Sequence, residues 1–142
     1  MMISVEKISR KIIRLDEYLT ILGKISETPG AVFVKDKILV GSAKYYLQVS
    51  IETCLDVANH IIAAERFRAP KDYADAFTVL EENNLLEKMI GQKLRQMAKF
   101  RNRLVHLYGE VDDAFVYEFI TNDIEDIRVF RKIIIQKYTS SY

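Results

Sequence analysis

Residues 36–67 read DKILVGSAKYYLQVSIETCLDVANHIIAAERF, and their periodicity decides the fold. Leu39, Ala43, Leu47, Ser50/Ile51, Cys54, Ala58 and Ile61/Ile62 recur every three or four residues, which gathers them on one face of an α-helix. A helix over 36–67 predicts the spine of a bundle, with Tyr45 and Tyr46 at its margins and their hydroxyls reaching water or a partner. Cys54 lies within the apolar stripe and has no second cysteine to bond with, so it reads as a reduced core thiol. On the same helix Asp56 precedes His60 by one turn, a spacing suited to an i, i+4 ion pair or hydrogen bond.

Outward from the spine the same period recurs. Ile8, Ile12, Leu15, Leu19 and Leu22 predict an amphipathic helix over 3–27 that ends near Thr28-Pro29-Gly30. Its outer charges, Lys7, Arg10, Lys11, Arg14 and Glu17, read as solvated surface, with an RNA contact as the alternative, and residues 31–37 as a connector. On the other side, Ala69-Pro70 stops the spine and Asp72 caps a short helix through Leu80, with Tyr73, Ala76, Phe77 and Leu80 on its apolar side. Asn83-Asn84 breaks it, and a helix over 85–108 follows, in which Gly91 predicts a bend or a close helix approach. Gly109 to Asp112 is a turn. Asp112 or Asp113 caps a last helix to about Lys137 on the period of Phe115/Val116, Phe119/Ile120, Ile124, Ile127, Phe130/Arg131 and Ile134, and KYTSSY is its frayed end. The expectation is an all-α fold: an antiparallel bundle of four long helices with one short extra helix, one domain over 1–142.

Composition agrees. The chain has 142 residues, 49% hydrophobic and 29% charged, with only seven prolines and glycines together, which favours helix over sandwich or barrel. No Cys/His spacing of the zinc type occurs. The opening MMISVEKISRKIIRL carries charges every third or fourth residue, unlike a signal peptide, and no run approaches the roughly 18 apolar residues of a membrane span. A cytoplasmic protein is expected.

The chemistry concentrates in residues 94–109, LRQMAKFRNRLVHLYG. On a helix, Leu94, Met97, Phe100, Leu104, Val105 and Leu107 share a broad apolar sector, whereas Arg95, Lys99, Asn102 and His106 form a polar stripe on the opposite side. Arg101 and Tyr108 break this division and point into the apolar sector. A buried guanidinium without a partner would cost several kcal/mol, so Arg101 snorkels or meets acceptors across a helix seam. His106 lies about 140° from Arg101 on the wheel, so their convergence needs the reach of the arginine, a distorted last turn or a second copy of the chain. Spacing alone also fits a histidine at the carboxyl end of a helix dipole, with Gly109 as the terminating residue. Net charge is +1, but from Lys88 to His106 there are six basic residues and no acidic one, and from Glu110 to Asp126 seven acidic and no basic one. The first run reads as a positive groove or as an ordinary solvated face.

Arg101-Asn102-Arg103-Leu104-Val105-His106-Leu107-Tyr108 resembles the motif of HEPN-domain proteins, in which Arg, four residues, His, any residue and Tyr follow in order, and is most similar to the HepT-type toxins. Ala43 to Glu65, Pro70 to Phe77 and Met97 to Asp112 resemble that family in the same order, so the likeness covers roughly residues 37–135; Asn59 and His60 resemble a recurrent pair. The resemblance implies a HEPN-like four-helix bundle and a metal-independent endoribonuclease, without cofactor, acting from Arg101 and His106 in a cleft between two copies of the chain. Asn102, Arg103, Lys99 and Arg95 would bind RNA or support the site. It also implies an MntA-like nucleotidyltransferase antitoxin as partner, which would transfer AMP to Tyr108. The residue types suit this chemistry, since imidazole exchanges protons near neutral pH and guanidinium binds a charged phosphate with two N–H groups. The alternatives are a non-catalytic HEPN-like module that partners a nucleotidyltransferase, and a structural dimerising bundle.

Overall fold

The computed structural model describes residues 3–139. Helix α1 (Val5–Ser26) starts at Ser4, whose hydroxyl accepts the Lys7 N–H, and buries Ile8, Ile12, Leu15, Leu19, Leu22 and Ile25. A single turn, α2 (Gly30–Phe33), leads to the spine α3 (Lys37–Ala64), capped by Asp36 through the N–H groups of Ile38 and Leu39. The short α4 (Tyr73–Glu82) is capped by Asp72, and α5 (Lys88–His106) follows. After a tight 3-10 turn at Tyr108–Glu110, Asp112 caps α6 (Asp113–Glu118), which passes through a wide π turn (Phe119–Asp123) into α7 (Ile124–Tyr138). Four long helical arms pack antiparallel with α4 as the short extra element, and no strand occurs among the described residues.

One apolar core runs through all of the arms. The spine contributes the most, with Ala43, Leu47, Ile51, Cys54, Ala58 and Ile61 fully buried. Burial pushes the Cys54 thiol far up from its ordinary pKa, so it stays protonated.

The spine ends at Ala64, short of the expected Phe67. Arg66 takes a left-handed conformation (φ 60°) and Phe67 N–H bonds back to the Ile62 carbonyl, a Schellman-type stop. Asn84 (φ 62°) closes α4 the same way, with Leu85 N–H on the Leu80 carbonyl, so Asn83-Asn84 breaks the helix there.

Two features were not visible in the periodicity. The connector carries α2, which drops Phe33 fully into the core against Tyr117, ring centroids 5.2 Å apart. Tyr117 donates its hydroxyl to the Thr28 carbonyl at 2.6 Å, and a Cβ at Gly30 would stand 3.1 Å from its ring. The last arm is not one regular helix: Ile124 N–H bonds to the Phe119 carbonyl, five residues back, and Thr121 Oγ1 donates to the Tyr117 and Glu118 carbonyls at 2.8 and 3.1 Å. The wide turn allows Phe119, Ile120 and Ile124 all to reach the core. Phe119 then stacks on Phe100 of α5 at 5.0 Å. The end KYTSSY stays helical to Tyr138; residues 140–142 lie outside the described residues.

Phe33→Ala empties a site the rest of the core cannot easily fill, and should destabilise the protein by about 3–5 kcal/mol. Urea unfolding measures this, and a loss below about 1 kcal/mol would show that α2 is not an anchor.

Candidate active site

The apolar side of α5 holds an arginine, and the fold answers it from within the chain. Arg101 donates Nε and Nη2 to Glu52 Oε2 of α3, at 3.0 and 2.5 Å, and Nη1 to Asn102 Oδ1 at 3.2 Å. This is an acceptor across a helix seam, one of the two outcomes expected for Arg101: the partner is 49 residues away in sequence, so no local pattern names it. Three of the five guanidinium N–H groups are thus used and two, one on each Nη, remain. The Tyr73 ring covers the guanidinium, 4.8 Å from its centroid.

Tyr73 is the first residue of α4, and its placement depends on the preceding loop. Arg68 clamps that loop to α4 through Asp75, at 2.8 and 3.0 Å, and Glu82, at 2.7 and 3.0 Å, while Asp75 also accepts the Lys71 N–H at 2.9 Å. The Arg68 guanidinium holds the Asp75 carboxyl well below the usual carboxylate range.

Around Tyr73 the motif residues meet. A depression of about 440 Å³ is lined by Tyr73, Lys71, Asp72, Asn59, Asn102 and His106. Asn102 thus touches both the Arg101 guanidinium and the wall that His106 shares, which links two side chains that the helical wheel sets apart. His106 is exposed, in the last residue of α5. Tyr73, Lys71 and Glu52 stand around these residues; all three fall in stretches that resemble the family, but the spacing singled out Tyr73 only as an apolar position and the other two not at all.

Tyr108 lies beyond the end of α5, not in its last turn as expected. The helix ends at His106 because Leu107 leaves helical geometry (φ −129°, ψ 38°), and Gly109 takes no left-handed turn. Tyr108 instead folds onto α3. The nearly buried Lys44 donates to the Tyr108 carbonyl at 3.1 Å, pairs with Asp113 at 3.3 Å, and sits 4.4 Å from the Tyr108 ring centroid. The phenol oxygen passes over Gly41, where an added Cβ would lie 3.8 Å from it. Tyr108 keeps 48% of its surface exposed, and Val105 (38%) and Leu107 (45%), expected in the apolar sector, are also partly exposed.

The basic run is weaker than its composition. Arg95 pairs with Glu81 at 3.0 Å and Lys93 with Asp126 at 3.7 Å, and a Cβ at Gly91 would overlap the Glu81 carboxylate, the close approach expected there. Lys88, Lys99 and Arg103 are exposed and have no ion pair among the described residues.

His60 does not pair with Asp56, which turns to Lys11 at 3.1 Å; His60 Nε2 instead accepts the Ser4 N–H at 3.1 Å. Burial, and then the Lys7 charge, lower its pKa. Among the described residues no group of three or more His, Cys, Asp or Glu side chains could hold a metal ion, and no helix is long and apolar enough to cross a membrane.

A helical bundle that presents an arginine, an asparagine and a histidine at the end of one long arm, with a tyrosine two residues on, has the fold of the HEPN class. Within that class the chain belongs to the HepT-like ribonuclease family, whose model, described as "Ribonuclease HepT-like", matches residues 15–134. It is 33% identical over 105 residues to the mRNA nuclease HepT of Shewanella oneidensis, covering 74% of this chain and 79% of that one. It is 27% identical over 123 residues to a putative RNase of Archaeoglobus fulgidus, covering 87% and 88%. A tri-AMPylated Shewanella oneidensis HEPN toxin, solved in complex with its MNT antitoxin, superposes with a TM-score of 0.84 at 29% identity, over 94% of this chain and 98% of that one.

The neutral form of His60 is favoured in the folded state, so the unfolded chain holds the extra proton as pH falls through 6.5. Its contribution to stability is therefore complete above that value and is lost as pH drops through the folded pKa. Between about pH 7.5 and about pH 5.5 the wild type should lose more stability than His60→Gln, which can still accept the Ser4 N–H. Equal losses in chemical denaturation would remove His60 from the account.

Proposed function

We propose that this chain is the toxin of a toxin–antitoxin pair, a metal-independent endoribonuclease of one HEPN-like domain. Two copies would meet through the partly exposed Val105 and Leu107 and bring two Arg101/His106 pairs to one cleft. The observation that carries the reading is the shared wall at Tyr73: it covers Arg101 and lines the depression that holds Asn102 and His106.

The chemistry follows from what those groups have free. The two unused N–H groups of Arg101 bind the non-bridging oxygens of a phosphodiester, with Glu52 keeping the guanidinium in orientation. One His106 takes the proton of the ribose 2′-hydroxyl as its oxygen attacks phosphorus; the P–O5′ bond breaks, and the 5′-oxygen takes a proton from the second His106. The products are a 2′,3′-cyclic phosphate and a 5′-hydroxyl. Charge that develops on the phosphorane is met by Arg101, and the exposed Arg103 and Lys99 add positive field around it. Arg95, held by Glu81, acts on the field only from a distance.

Tyr108 is the proposed point of control. In a reaction catalysed by a nucleotidyltransferase partner, its phenol oxygen attacks the α-phosphorus of ATP, the bond to the β-phosphate oxygen breaks, and pyrophosphate leaves. The adenylyl phosphate brings negative charge to the rim where RNA phosphates would sit, so substrate is repelled. The AMP-carrying relative in complex with its MNT antitoxin supports this reading.

Incubation of purified, unmodified protein with total RNA in EDTA tests the site. Wild type should cleave and leave 2′,3′-cyclic phosphate ends, and His106→Ala or Arg101→Lys should lose at least about 10²-fold in rate. Undiminished cleavage by either variant would place the chemistry elsewhere, and no cleavage by wild type with Tyr108 bare by mass would favour the binding module.

With ATP and a cognate nucleotidyltransferase, wild type should gain AMP in mass steps that Tyr108→Phe does not show. AMP retained on the Tyr108→Phe protein would transfer the modification to another residue.

A further inference from the structure

A second depression, about 580 Å³, runs between α1 and α3 on the side of the spine that carries Asn59. Lys7, Arg10, Lys11 and Arg14 of α1 line it opposite Asn59 and His60. These four cations fall within two helical turns, about 10 Å of rise. Against them the lining has one carboxylate, Asp56, which is held by Lys11 at 3.1 Å. Glu6 pairs with Arg10 on the exposed surface, where such a pair contributes little and exchanges readily with a phosphate. Lys7 and Arg14 have no ion pair among the described residues. On sequence alone this row reads as solvated surface, with nothing to favour the alternative of an RNA contact; the fold makes it one wall of a groove.

Asn59 lines both depressions, this one and the one that holds His106. The two therefore adjoin at a single exposed side chain. The far wall is also built for a polymer with bases: Asn59 offers an amide with both donor and acceptor, and His60 a neutral, half-buried imidazole. Its Nε2 is occupied by the Ser4 N–H, so the proton sits on Nδ1 as a donor. Cations along one wall with flat polar groups along the other match single-stranded nucleic acid, whose backbone tracks charge while its bases turn to the opposite side.

We propose that the α1/α3 groove is a binding track for single-stranded RNA, which takes up the strand flanking the scissile phosphate as it passes Asn59 out of the His106 depression. Lys7 and Arg14 hold backbone phosphates at the two ends of the track, and Arg10 and Lys11 exchange their carboxylate partners for phosphate between them. This rests on the ribonuclease reading above and extends it: the active-site depression alone would grip only the nucleotides at the cut, and the track makes affinity depend on strand length.

The test is fluorescence anisotropy with 2′-O-methyl oligoribonucleotides of increasing length, which lack the attacking hydroxyl, on the full chain. Wild type should gain affinity in a distinct step once the strand outgrows the active-site depression. The double variant Lys7→Gln/Arg14→Gln should lose that step, on the order of five- to tenfold, and lower the salt dependence of binding by about 1 to 1.5 in log–log slope. It should bind the shortest oligonucleotides, and cleave the shortest RNA substrate, as wild type does. The charge-preserving pair Lys7→Arg/Arg14→Lys should retain the step. An unchanged length profile and salt slope in the glutamine variant overturns the track, and leaves this face to another class of partner such as an acidic protein. Loss of affinity for short and long strands alike also overturns it, because the cations would then act on the whole field. Binding that follows the predicted ladder in a wild type that never cleaves RNA would support the track while refuting the ribonuclease site, so the two failures are separable.

Discussion

A guanidinium on the apolar side of a helix has to be answered, and in this protein the answer is Glu52. The pair is mostly buried on the arginine side, 15% exposed against 32% for the glutamate. Taking both charges out of water costs about as much as their attraction returns, so the pair adds little net stability, whereas losing either partner would leave a stranded charge. Its effect is positional. It fixes the register of α5 against the spine, leaves two N–H groups of Arg101 free, and gives the Tyr73 ring a flat cation to cover. The Arg68 clamp, which carries α4 and Tyr73 into place, completes the same construction from the surface. Remove the need to satisfy Arg101 and neither Asn102 nor His106 has a defined wall to share.

The periodic parts of the fold were legible because their causes are local. Three- and four-residue spacing places Ile8, Ile12, Leu15, Leu19 and Leu22 on one face whatever the rest of the chain does, and Asp72 and Asp112 cap the helices that follow them because a carboxylate bonds N–H groups two or three residues ahead. What escaped was decided by contacts far apart in sequence. Glu52 for Arg101, Lys44 for Tyr108 and Glu81 for Arg95 leave no spacing to read. Single-residue effects near element ends also escaped: Leu107 rather than Gly109 ends α5, Ser4 rather than Asp56 engages His60, and a threonine-assisted wide turn interrupts the last arm. The motif marked Arg101, His106 and Tyr108 as candidates; it held no information on the neighbours that orient them.

Charge shows the same division between composition and structure. A run of six basic residues on one arm suggests a strongly positive face, but acids on α4, α3 and α7 neutralise Arg95, Arg101 and Lys93. Exposed positive charge remains at the end of α5, on Lys99 and Arg103, and on α1, on Lys7 and Arg14, among other places. A chain with net charge of only +1 can still present a directional field, because cross-helix pairing cancels charge selectively rather than evenly.

Gly41 has no role in the core, in any cap or in any ion pair, yet it stands beneath the phenol oxygen of Tyr108. A methyl group there would just touch that oxygen, and a larger side chain would roof it over while Lys44 went on holding the ring from the side. The size of one side chain on the spine thus bears on how far the phenol is open to solvent, without altering a charge around Arg101, so related chains could differ in the accessibility of this phenol while keeping the same surroundings of Arg101 and His106.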